Sequence, residues 1–193
     1  MDRQQIRSVQ RNMKKKKPKK ASWEDIKKSI KDFETSRLID LVADLYQLSE
    51  KNRIFLHARF LGGSDSLQKY KKIISDCLYP DLWDEKDDFD FKRAEKAIDD
   101  YSKATGDNDG IADLMIYYVK CGTKFTLDYG DMNETFYDTL IEMYEKAIKF
   151  VSKMPKKNRE TFRKKLKKIM ESAHGMGWGY YDDLCHLYYE AFE

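Results

Sequence analysis

The sequence predicts an all-α fold, and three observations carry that expectation. Apolar residues recur at i, i+3, i+4 and i+7 in segment after segment. No run alternates with the two-residue period of a half-buried strand. The charged fraction is high, 37% against 41% apolar, as expected of helices whose outer faces carry Lys and Glu. A chain of 193 residues is long enough for one domain with a real core. About eight or nine short to medium helices are expected, forming an antiparallel bundle or a divergent, helical-repeat-like α-solenoid.

Residues 1–20 come before the first helical pattern. They hold Arg3, Arg7, Arg11 and the six lysines Lys14, Lys15, Lys16, Lys17, Lys19 and Lys20 against Asp2 alone. Like charge packed around Pro18 disfavours a regular element, so a basic flexible arm is expected. The net charge of the whole chain is only +3, so the body that follows is acidic.

The helical domain is expected to span residues 21–193. Ser22 has the position of an N-cap for Trp23 to Phe33, where Trp23, Ile26, Ile30 and Phe33 share a face. Thr35 or Ser36 caps a second helix with a Leu38, Leu41, Val42, Leu45 stripe, and the globular body is expected to start at the first of these helices. Ser49 opens a third helix that ends at Gly62 and Gly63. A fourth carries Leu67, Tyr70, Ile74, Cys77 and Leu78, and Pro80 stops it. Residues 81–90 hold six acidic residues and one lysine around Leu82, Trp83 and Phe89, and read as a loop dividing the domain into halves. Phe91, Ala94, Ile98 and Tyr101 mark a fifth helix. Asp109 is placed to cap a sixth, from Ile111 to about Leu127. Asn133 caps a seventh that runs to Pro155, and residues 158–173 and 180–192 complete the set. Glu95-Lys96-Ala97-Ile98 recurs as Glu145-Lys146-Ala147-Ile148, a spacing unlike the ~34 residues of a tetratricopeptide repeat.

Composition excludes several classes. No apolar run reaches the ~18 residues of a membrane helix, and no apolar segment follows the basic N-terminus as in a secretory signal, so no membrane association is expected. Cys77, Cys121 and Cys185 are odd in number and widely spaced, which suggests buried small hydrophobes in a reducing cytoplasm.

Chemistry-bearing residues are sparse. His174, Asp182, Asp183 and His186 offer nitrogen and oxygen donors for a divalent metal, with Asp182 and His186 at i, i+4 on one helix face. Glycines ending one helix and acids opening the next explain the same segment without a metal. Gly175, Gly177 and Gly179 lack the preceding strand of a dinucleotide fingerprint, and Gly106–Gly110 fails the ligand positions of a calcium loop. His57 stands between Arg53 and Arg59, which could hold an anion, but no nucleophile or second acid joins it there. Residues 153–168 carry nine basic residues against Glu160 alone. Lys157, Lys164, Lys165 and Lys168 therefore join the arm as candidate phosphate contacts.

The segments Leu38 to Tyr46, Asn52 to Phe60, Tyr117 to Asp131 and Gly175 to Leu184 resemble an uncharacterised prokaryotic family of small helical proteins, over about residues 21–193. The resemblance implies a single helical domain and transfers no activity or binding residue. The functional expectation is a non-enzymatic macromolecular interaction module with a protein partner, Trp83 and Trp178 as contact points, and no cofactor. The alternatives are a nucleic-acid or ribosome-associated protein, and a metal-dependent enzyme centred on Asp182, Asp183 and His186.

Overall fold

A computed structural model describes residues 21–80 and 88–193. Among these the fold is all-α, helix packed on helix, with nine helices and no strand. They are α1 (Trp23–Ile30), α2 (Thr35–Leu48), α3 (Glu50–Phe60), α4 (Ser64–Leu78), α5 (Phe91–Thr105), α6 (Asn108–Tyr129), α7 (Glu134–Ser152), α8 (Lys156–Ser172) and α9 (Tyr180–Phe192). The expected arm, residues 1–20, and most of the expected acidic loop, including Trp83, lie outside the described residues.

The caps follow the side-chain chemistry. Ser22 and Asp25 form a reciprocal capping box at the start of α1, and the side chains of Ser49, Asp90 and Asn133 accept backbone N–H groups at the starts of α3, α5 and α7. α6 starts earlier than expected. Its cap is Asp107, whose carboxylate accepts the Asp109 N–H at 3.1 Å, while Asp109 and Gly110 lie inside the helix. Asp107 also accepts the Tyr101 hydroxyl at 2.8 Å, so an α5 side chain is bound to the turn that opens α6. Gly106, at φ 64°, makes the left-handed C-cap of α5 that this tight turn requires.

The chain divides into two compact units, Met1–Leu45 and Tyr46–Glu193. In the second, each helix packs on the next along the chain, and all but α5 also pack on the next but one: α3 on α5, α4 on α6, α6 on α8 and α7 on α9. This is the packing order of a solenoid, in which each repeat rests on its neighbours. Lys146 on α7 pairs with Glu95 on α5 at 3.1 Å, joining the two copies of the repeated tetrapeptide, and Ala97, Ile98, Ala147 and Ile148 are all buried.

α6 is the centre. Twelve of its 22 residues are buried, on both sides of the helix. Gly122 lets α7 come close, because a Cβ there would sit 2.5 Å from Leu140 Cδ2. The core is rich in tyrosine: Tyr144 donates to the Leu166 carbonyl at 3.1 Å and Tyr180 meets Thr123 Oγ1 at 2.8 Å, while the buried Tyr118 hydroxyl has no hydrogen-bond partner among the described residues. Cys77 and Cys121 are buried and Cys185 half-buried, all as free thiols.

The first unit has the expected helices but a different burial. Neither α1 nor α2 has a single buried residue. Ile30, Phe33 and Leu41 are half-buried, with the Arg37 guanidinium 3.8 Å from the Phe33 ring centre, while Trp23, Ile26, Leu38, Ile39, Val42 and Leu45 are exposed. The stripes are helical, as their period requires, but they enter no core.

Thr123→Val keeps the shape of the α6–α9 contact and strands the Tyr180 hydroxyl. It should cost about 1–3 kcal/mol, which lowers the unfolding temperature by several degrees at about 2–4 °C per kcal/mol. Thr123→Ser, which keeps the oxygen, should cost clearly less; equal losses in thermal denaturation would remove the hydrogen bond from the account.

Candidate functional site

Helices α3, α4 and α5 pack on one another and enclose a cleft of about 710 Å³ within the second unit. Its apolar lining comes from Ile54, Ile73, Tyr70 and Ala97. Its charged lining comes from all three helices: Lys51 and Arg53 on α3, and two pairs three residues apart, Lys69 and Lys72 on α4 and Arg93 and Lys96 on α5. Two of these are satisfied within their own helices, Lys72 by Asp76 at 2.8 Å and Lys96 by Asp100 at 2.7 Å. Lys51, Arg53, Lys69 and Arg93 form no ion pair among the described residues and share the cleft with one further acid, Glu50.

His57 lies in the wall of this cleft. Its Nε2 is 3.0 Å from the Tyr46 hydroxyl, and its Nδ1 is 3.4 Å from Lys69 Nζ. An ammonium can only donate, so Nδ1 accepts and the ring proton sits on Nε2, donated to Tyr46. The imidazole is thereby oriented, and it ties the start of the second unit to α4. Burial pushes the Cys77 thiol up, with Arg93 and Lys51 opposing the shift and Asp90 and Asp76 adding to it.

The residues singled out from sequence are scattered. Lys157, Lys164 and Lys168 stand exposed on α8 without an ion pair among the described residues. Lys165 is bound to Asp113 of α6, which also takes Lys71 of α4 at 2.5 Å. Lys165 is thus ion-paired, unlike Lys157, Lys164 and Lys168. Trp178 is 57% exposed and held at φ 58°, a left-handed conformation costly for a bulky side chain. Lys14, Lys15, Lys16, Lys17, Lys19, Lys20 and Trp83 lie outside the described residues.

The metal expectation finds no assembled ligand set. Asp182 and Asp183 are exposed on the first turn of α9, where they complement the helix dipole. His186 is 3.7 Å from Glu190, one turn on, and His174 packs edge-on against the Tyr181 ring. Among the described residues no three His, Cys, Asp or Glu side chains come together as metal ligands.

Two features were hidden from sequence reading. The cleft joins cations from three helices, and only the Arg53–His57 pair was visible as a local cluster. The exposed stripes of α1 and α2 have the same pattern as core stripes, and burial alone separates them. With the fold and cleft described, the family comparison is decisive: a model of a family of unknown function matches residues 21–193. The chain belongs to DUF6155. DUF6155 therefore includes an all-α fold of this kind, and no curated protein or solved structure matches the chain. Among the described residues of this DUF6155 member no helix is long and apolar enough to cross a membrane.

Asp113 supplies a pH test of the clamp. Desolvation raises its carboxyl, but hydrogen bonds from Lys165 and Lys71 outweigh it and hold the group below its ordinary 3.8. A depressed folded pKa contributes stability that is fully present above the unfolded value and fades as pH falls through the folded one. Acid titration of stability should therefore steepen below about pH 3.8, and Asp113→Asn should flatten that limb while destabilising the protein at neutral pH. A variant with the wild-type acid limb would contradict the clamp.

Proposed function

We propose that this protein is a non-enzymatic interaction module that binds a helical protein partner along the apolar faces of α1 and α2, with Trp178 as a separate exposed contact. The supporting observation is that two amphipathic helices, the first opened by a capping box, bury no residue. Isolated helices shorter than about 12–15 residues are marginal in water. Helices of 8 and 14 residues without a buried face therefore gain most from a surface laid against them. An amphipathic helix is the natural complement, its side chains entering the grooves between Leu38, Leu41, Val42 and Leu45. Asp40 and Asp44, one turn apart and without an ion pair among the described residues, favour a partner with Lys or Arg beside its apolar residues.

A second reading, a nucleic-acid or ribosome-associated protein, is supported by the exposed, unpaired Lys157, Lys164 and Lys168 together with the basic composition of residues 1–20. Lysines of this kind suit phosphate backbones and bring little base discrimination.

The two readings separate in one capture experiment on native extract, divided into nuclease-treated and untreated halves. The interaction module predicts a defined protein retained after nuclease and reduced at least about tenfold by Val42→Asp, since a carboxylate placed in an apolar contact costs more than 1.4 kcal/mol. Val42 is outside the core, so the unfolding temperature should stay at the wild-type value. Capture unchanged by both Ile39→Asp and Val42→Asp would sink this reading. Nucleic acid recovered only from the untreated half, and weakened by Lys157→Gln with Lys164→Gln, would favour the second.

A further inference from the structure

We propose that the cleft between α3, α4 and α5 is a binding site for a small organic phosphate, with Lys51, Arg53, Lys69 and Arg93 taking the phosphate and Ile54 and Ile73 the apolar body. The proposal does not rest on the apolar faces of α1 and α2, although Tyr46 near the end of α2 meets His57 at 3.0 Å. Its volume, about 710 Å³, lies within the range of roughly 300–1,000 Å³ typical of small-ligand sites.

The charge balance gives the ligand class. Asp76 and Asp100 are each bound by the lysine one turn before them, so neither competes for the remaining cations. Four cationic side chains then face Glu50 alone. Arg53 is half-buried while Lys51, Lys69 and Arg93 are exposed, and four cations gathered at one cleft attract a dianion better than a monocarboxylate. Two arginines supply planar, forked donors matched to phosphate oxygens, and the lysines add point charge. Beside them, buried Tyr70 and Ala97 with half-buried Ile54 and Ile73 give an apolar wall that inorganic phosphate cannot use.

His57 completes the polar set. Its Nδ1 already orients the Lys69 ammonium, and its own orientation is fixed by Tyr46. Lys69 is therefore held in the wall of the cleft before any ligand arrives, which lowers the cost of ordering a long side chain on binding. His57 is a positioning residue in this arrangement.

The test is calorimetric titration of the full chain with inorganic phosphate and with phenyl phosphate, each repeated for Arg53→Gln, Arg93→Gln and Lys164→Gln. Phenyl phosphate should saturate the protein and bind more tightly than inorganic phosphate. Arg53→Gln and Arg93→Gln should each weaken it about tenfold or more, as loss of a charge-assisted contact does. Neither arginine has an ion pair to lose among the described residues, so both variants should keep the wild-type unfolding temperature. Lys164→Gln, which removes the same charge from α8, should leave binding unchanged. His57→Ala should weaken phenyl phosphate modestly and His57→Gln should restore part of the loss.

Absence of saturation by about 10 mM, an affinity of under 3 kcal/mol, would overturn the proposal. So would equal weakening by Lys164→Gln, which would mean attraction to net charge. A single-stranded oligonucleotide that outcompetes phenyl phosphate and depends on Lys164 would move the phosphate chemistry to nucleic acid and likewise overturn it.

Discussion

The second unit depends on the burial of α6. A helix that is apolar on one side can lie on a surface, but one buried around most of its circumference must be enclosed. α4, α5, α7 and α8 do this, and the contacts they make are specific. Gly122 admits Leu140, Asp113 binds Lys71 and Lys165 from opposite neighbours, and Thr123 takes the hydroxyl of Tyr180. Each is a polar or steric requirement that only one packing meets, so the same helix that supplies the apolar area also fixes where its neighbours sit.

From that arrangement the cleft follows. α4 and α5 each pack on both α6 and α3, and they bring Lys69 and Arg93 to the cleft that Arg53 also lines. The rigid side of the site is thus continuous with the core. α1 and α2 are built on the opposite principle, with a capping box on α1, a helical apolar period in both and no buried residue. Its stability has no internal source comparable to that of α6, and a protein surface laid on the stripes would supply one.

Much of the fold was legible because it rests on local chemistry. Ser22, Ser49 and Asn133 cap as their positions imply, Pro80 and Pro155 bound the helices beside them, and α9 has the expected limits. The exception at α6 has a simple cause: two aspartates flank Asn108, and Tyr101 reaches Asp107 from the preceding helix, a contact no local pattern contains. The site was less legible for the same reason. Lysines on three helices look alike in sequence, and whether one is free, like Lys51, or bound, like Lys165, depends on partners up to about fifty positions away. The 174–186 segment shows the reverse error, since donors close in sequence need not converge: His174 turns to Tyr181 and His186 to Glu190.

The most direct measurement is hydrogen–deuterium exchange on the purified protein, at a concentration where its mass is that of one chain. The account predicts that amides of α6 exchange only through global unfolding, while those of α1 and α2 exchange orders of magnitude faster, as expected for helices with no enclosing surface. Protection of α1 and α2 equal to that of α6 in the free monomer would mean that these helices already have their packing partner within the chain, and would contradict the division into an enclosed core and an open apolar face.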